Sequence, residues 1–132
     1  MNKQRVNAWI PLAAAALETV GIVEDGKMNS AFRRQISSFG AAITMGSLKA
    51  AAAFFSQQGK ASVPRELLLK AMYYIVTEGE EKKPQEVFAY ICANDNVRTR
   101  DQFIDAAIAL KLAMNLYDRG GEKNDESEPA VQ

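Results

Sequence analysis

Apolar residues recur along most of this chain at intervals of three and four, the spacing of helices that lie on a core. The first such segment runs from Asn2 to Val20, with Pro11 inside it, where a kink or a fresh helical start is expected. Gly21 and then Asp25-Gly26 close it in a turn. A second segment opens at Asn29-Ser30, both good N-caps, and carries Phe32, Ile36, Phe39 and Ile43 toward the core. Gly40 and Gly46 fall inside this pattern, each costing about 1 kcal/mol against alanine, which implies close packing at both. Ala42, Gly46 and Ala50 form a stripe of small residues on which another backbone could rest. A break at Gly46-Ser47 would let Ser47 cap a third helix through Phe54, Phe55 and Ser56, closed by Gln58-Gly59-Lys60.

Pro64 at a first helical position starts a fourth helix with Leu67, Leu68, Ala71, Met72, Ile75 and Val76, ending near Gly79. The run Glu80-Glu81-Lys82-Lys83 is polar. Pro84 then opens a short fifth helix with Val87, Phe88, Ile91 and Cys92. The last helix is expected from Thr99 to Tyr117, with Thr99 and Gln102 as a capping box. Phe103, Ala106, Ala107, Leu110, Ala113, Met114 and Tyr117 make its broad apolar face. Ile104, Ile108 and Leu112 fall on the opposite side, among Asp101, Asp105, Lys111 and Asn115. A helix apolar nearly all round is either central or covers a core on one side and meets a partner on the other. The pattern therefore predicts an all-α fold, a single compact bundle of about six helices over residues 1–118, followed by an acidic, disordered tail over 119–132.

Composition narrows the chemistry. The 132 residues suit one domain, and alanine, the best helix former, supplies much of the 48% apolar content. There is no histidine, which removes histidine-based triads, histidine metal sites and the usual general base near neutral pH. The single cysteine, Cys92, excludes internal disulfides and thiolate zinc clusters, and fits a reducing, cytoplasmic setting. The run Leu12–Leu17 is too short for a signal peptide or a membrane span and is followed directly by Glu18.

The formal charge is zero, yet it is unevenly spread. Residues 26–75 hold seven basic side chains against Glu66 alone, and residues 76–132 hold seven basic against twelve acidic. A basic middle suits a polyanion or an acidic protein, unless folding intermixes the two regions and cancels the field. Arg33, Arg34, Lys49, Lys70 and Lys111 are the candidate nucleic-acid-binding residues, able to neutralise phosphates without reading bases, with plain solubility as the other reading. Lys49 stands alone in a long uncharged stretch and must occupy its one wet face.

Other motifs are weaker. Gly26-Lys27 and Gly59-Lys60 lack the upstream glycine and following hydroxyl of a phosphate loop. Asn94-Asp95-Asn96 is half a calcium loop without the rest. Glu80, Glu81 and Glu86 read as a solvated face, Cys92 as a buried inert thiol, and Trp9, Tyr73 and Tyr74 as core or interface anchors. No catalytic residue, cofactor or metal site is expected.

The segment Ile36-Ser37-Ser38-Phe39-Gly40-Ala41-Ala42-Ile43, followed by Gly46-Ser47-Leu48 and Ala51–Phe55, resembles a known family when taken with Asp105-Ala106-Ala107-Ile108-Ala109-Leu110-Lys111-Leu112-Ala113. These residues are similar to the small helical subunit of the type III-B CRISPR effector, the Cmr complex. The resemblance covers roughly residues 5–118 and departs from the family at Ser47-Leu48-Lys49-Ala50, where a more apolar stretch is the rule. It implies a non-catalytic, all-helical protein of antiviral defence whose copies stack as a minor filament beside the guide RNA and target RNA, touching the other subunits. No membrane and no small-molecule substrate would be involved. Two other readings stay open, a helical adaptor that binds only proteins and a DNA-binding helical regulator. The latter is disfavoured because no short-turn helix pair with a polar reading helix is present.

Overall fold

The computed structural model describes residues 1–57 and 63–117, and within them the chain is all-helical. Six helices follow in order: α1 (Lys3–Thr19), α2 (Ala31–Met45), α3 (Leu48–Ser56), α4 (Glu66–Val76), α5 (Pro84–Ala93) and α6 (Val97–Ala113), with a 3-10 turn at Met114–Leu116. The expected tail over 119–132 and the closure at Gln58-Gly59-Lys60 lie outside the described residues.

Helix ends follow local chemistry. Asn2 caps α1 by accepting the Arg5 amide at 3.0 Å, and Pro11 is carried inside one continuous helix. At the far end Gly21 adopts φ +88, so the Ile22 amide turns back to the Leu17 carbonyl and the Gly21 amide to that of Glu18. Ile22 and Leu17 are both buried beneath this cap. Asp25 and Gly26 both take positive φ, and Glu24 and Lys27 exchange backbone hydrogen bonds across them as a two-residue hairpin.

The chain does break at Gly46, and Ser47 caps α3 by accepting the Ala50 amide at 3.0 Å. A Cβ on Gly46 would stand 3.3 Å from the Ala42 carbonyl oxygen, so that glycine serves the corner itself. Gly40 is different: a Cβ there would meet nothing within 4 Å. The expected close packing of the fold at Gly40 is therefore absent. The stripe of Ala42, Gly46 and Ala50 is not packed against the rest of the described chain either, since Ala50 is exposed and Ala42 only half-buried.

Two helix starts also differ from expectation. α4 begins at Glu66, two residues after Pro64, because Pro64 and Arg65 first make a turn whose carbonyls accept from Leu67 and Leu68. α6 begins at Val97, with Asn96 as the cap accepting the Thr99 amide at 2.9 Å. Thr99 is not a cap but a buried residue of the first turn.

The core collects Phe39, Phe55, Phe103, Leu68, Leu69, Met72, Ile75, Ile91, Leu110 and Met114, all fully buried. Phe39 and Phe55 meet edge to face at 5.1 Å between ring centres, which locks α3 onto α2. α6 lies against α1, α4 and α2, and α4 against α1, α3, α5 and α6, so these two helices are the centre of the bundle. The reading of α6 as a nearly all-apolar central helix agrees with this placement.

One side chain of α6 was misplaced by pattern alone. Asp105, expected among the polar outer residues, is 1% exposed. The Arg5 guanidinium reaches its Oδ2 at 2.7 Å and 2.9 Å, and the Asn2 amide donates to the same oxygen at 3.3 Å. Arg5 also lies 5.4 Å over the Trp9 ring, so one side chain links the N-terminal turns of α1 to the middle of α6.

Candidate nucleic-acid interface

α2 and α6 pack antiparallel, and this pairing positions most of the candidate cations. Arg33, in the first turn of α2, donates to the Asn115 side chain at 2.7 Å and to the Met114 carbonyl at 3.3 Å. It thus caps the C-terminal end of α6, where free carbonyls and the helix dipole favour a cation. Its guanidinium is half-buried, with Nε sheltered from water. Arg33 has a structural task that the sequence did not disclose.

Arg34, one position on, points to solvent and forms no ion pair among the described residues. Lys111 is exposed on α6 and lines the groove between α6 and α2. Arg33, Arg34 and Lys111 therefore share one end of the α2–α6 pair. Lys49 stands at the other end, beyond the C-terminus of α2. The helical rise over the intervening α2 residues puts it about 20 Å from Arg33. It is half-exposed, as its lone charge required, and pairs loosely with Asp95 at 3.4 Å. Lys70 is half-buried on α4, away from α2. The five candidates form one cluster of three and two separate cations, rather than one continuous stripe. Lys60 lies outside the described residues.

The aromatic candidates are anchors. Trp9 and Tyr73 are buried, and Tyr73 stacks edge to face on Tyr90 at 5.2 Å. Burial raises the Tyr73 phenol above its ordinary pKa, helped by Glu80, whose carboxylate accepts its hydroxyl at 3.2 Å. Tyr117 is raised likewise, by burial first and then by its hydrogen bond to Glu18 at 3.1 Å. Cys92 is exposed, not buried as expected, because α5 buries only Val87 and Ile91 and turns its other side outward. Glu86 is more than a solvated charge: its carboxylate accepts the Lys83 amide at 2.9 Å and closes the start of α5.

Between α2 and α6 runs a groove of about 400 Å³, bordered by Ile36, Gly40, Ala41, Ile104, Ala107 and Ile108. The two segments whose resemblance was noted in the sequence, one on α2 and one on α6, face each other across it. Among the described residues no group of three or more acidic or cysteine side chains converges as a metal site would, and no helix is long and apolar enough to cross a membrane. Comparison with models of known protein families, with curated proteins and with solved structures gave no match.

Proposed function

We propose that this protein is a non-catalytic structural subunit of a type III-B CRISPR RNA-guided, RNA-targeting complex, stacked in several copies beside the guide and target RNA. The observation that carries the reading is the α2–α6 pair. Two sequence segments far apart in the chain, which together resemble the small subunit of that effector, border one shared groove. The cations support the same role. Arg34 and Lys111 are solvent-facing without an ion pair among the described residues, and Lys49 is held only by a half-exposed contact. Such side chains neutralise phosphates without selecting bases. Arg33 contributes by fixing the end of α6 beside Arg34.

The test is target-RNA binding by the purified assembly containing Arg34→Ala, Lys49→Ala and Lys111→Ala together. The expected result is weaker affinity for every RNA sequence tried, with the salt slope reduced by about one unit for each phosphate left without its cation. Unchanged affinity and slope would remove these positions from the RNA path. Ultraviolet crosslinking of RNA to other subunits but never to this chain would favour the protein-only adaptor.

A further inference from the structure

The chain leaves the described fold at a fixed place. The Tyr117 hydroxyl is tied to α1 by hydrogen bonds to Glu18 at 3.1 Å and to the Ala14 carbonyl at 3.4 Å. Just before it, the Asn115 side chain accepts the Arg33 guanidinium at 2.7 Å. Residues 118–132 therefore start beside the first turn of α2, where Arg33 and Arg34 stand, and less than two helical turns beyond Lys111.

The two sides of this junction carry opposite charge. Arg34 and Lys111 are exposed, and neither pairs with a carboxylate among the described residues. Arg33 gives its hydrogen bonds to Asn115 and to the Met114 carbonyl, both uncharged, so its positive charge is not neutralised either. Residues 118–132 hold five acidic side chains against two basic ones. After Lys123, Asp125, Glu126 and Glu128 supply three carboxylates with no cation following them. Cations elsewhere have partners in the fold: Arg5 has Asp105, Lys49 has Asp95 and Arg100 has Asp101.

Reach decides which cations these carboxylates can meet. Residues 118–125 span at most about 27 Å, enough to turn back over the start of α2 and over Lys111. The tether holds the acids at an effective concentration on the order of millimolar, so exposed ion pairs too weak to join separate molecules can form within one chain. We infer that Asp125, Glu126 and Glu128 dock on Arg33, Arg34 and Lys111 of their own chain. They occupy the place of a polyanion and must be displaced before one binds. An RNA strand that brings several phosphates at once overcomes three carboxylates, and a single passing phosphate does not. The docking needs only charge and tether. The competition with RNA rests on the proposed reading of these cations as phosphate contacts.

The test uses the full chain carrying Cys92→Ser and Ser127→Cys, with a nitroxide attached at position 127, read by the broadening of backbone amide signals in NMR. At low salt the Arg34 and Lys111 amides should be broadened about threefold or more beyond the same chain with Asp125→Asn, Glu126→Gln and Glu128→Gln, the size expected of two exposed ion pairs. About 0.5 M salt should remove that excess, and Lys49 and Lys70 should not show it. Arg34→Ala with Lys111→Ala should remove it from the neighbouring amides. Equal broadening with acidic and neutralised segments, or an excess centred on Lys49 or Lys70, overturns the inference. So does broadening passed from labelled chains to separate isotope-enriched ones, which assigns the acids to a second copy. A short oligouridylate should restore the Arg34 and Lys111 signals and bind about threefold more tightly to the neutralised chain. Oligouridylate that loses affinity on Arg34→Ala yet leaves the signals broadened overturns the inference. Oligouridylate indifferent both to Arg34→Ala and to the three acids, with the excess broadening present, supports the docking and overturns the RNA reading alone.

Discussion

The two sides of α6 use similar residues for opposite ends. Toward α1 and α4, Phe103, Ala106, Leu110 and Ala113 are fully buried, and this side is pinned at two points. Arg5 holds Asp105 at the middle of α6, while past its C-terminal end the Tyr117 hydroxyl meets Glu18 and, at 3.4 Å, the Ala14 carbonyl. Toward α2, Ile104 and Ile108 border an open groove whose facing helix carries a glycine that packs nothing, and Leu112 stands 42% exposed at a shallow hollow beside the first residues of α1. One side is closed by packing and polar ties. The other is left apolar, shallow and basic at its rim. Apolar character alone therefore does not distinguish a core from a contact surface. What distinguishes them is whether the facing helix brings side chains large enough to fill the gap.

Substitutions can break this contrast, and the core should respond most. Leu110→Ala on the closed side should cost about 3–4 kcal/mol in denaturant unfolding, as buried leucines do. Leu112→Ala on the open side should stay within about 0.5 kcal/mol. Equal losses would mean that the open side supports the fold after all.

Arg5→Ala comes next. It strands a buried carboxylate, and such losses reach about 3–5 kcal/mol in full burial. Arg5 is 27% exposed, so water reaches the site and about 2–3 kcal/mol is expected. Asp105→Ala should cost less than Arg5→Ala, because the freed guanidinium can turn to solvent. The reverse order in parallel urea titrations would contradict a pair whose acid is the buried partner.

Gly40→Ala should go the other way and stabilise the protein by about 1 kcal/mol, since a Cβ there meets open space in a helix interior. Any destabilisation would show an internal contact at Gly40.

The smallest effect concerns pH. Both Tyr73 and Tyr117 are held above the ordinary tyrosine value of 10.0 in the fold, mainly by burial. The unfolded chain releases these protons first as pH rises. Their contribution is therefore complete below about pH 10 and is lost as pH climbs through the folded values. Tyr117→Phe should flatten the alkaline fall in melting temperature, and an unchanged slope would remove Tyr117 from that account.

The helices were legible because their signals are local. Phe32, Ile36, Phe39 and Ile43 lie on one face by spacing alone, and all four are buried. Ser47 announced the break after Gly46, and Asp25-Gly26 announced its turn, since each depends on neighbours a few residues away. What the pattern missed depends on distant partners. Asp105 is buried because Arg5, a hundred residues earlier, reaches it. Arg33 looked free but caps a helix end more than eighty residues on. The role given to Gly40 failed for the same reason: spacing showed an unusual glycine, and only the packed fold shows that no described part of this chain approaches it. The candidate cations were easy to name from charge, yet their division into a cluster of three and two outliers is a property of how α2, α3 and α4 are placed.

The central claim is that this chain works as one of several copies within an RNA-guided assembly. Native mass spectrometry of the affinity-tagged protein purified from its host, with and without nuclease treatment, tests it most directly. The account predicts a particle holding a guide RNA, several larger subunits and more than one copy of this chain. A lone chain, or a single copy bound to an unrelated protein without RNA, would contradict it.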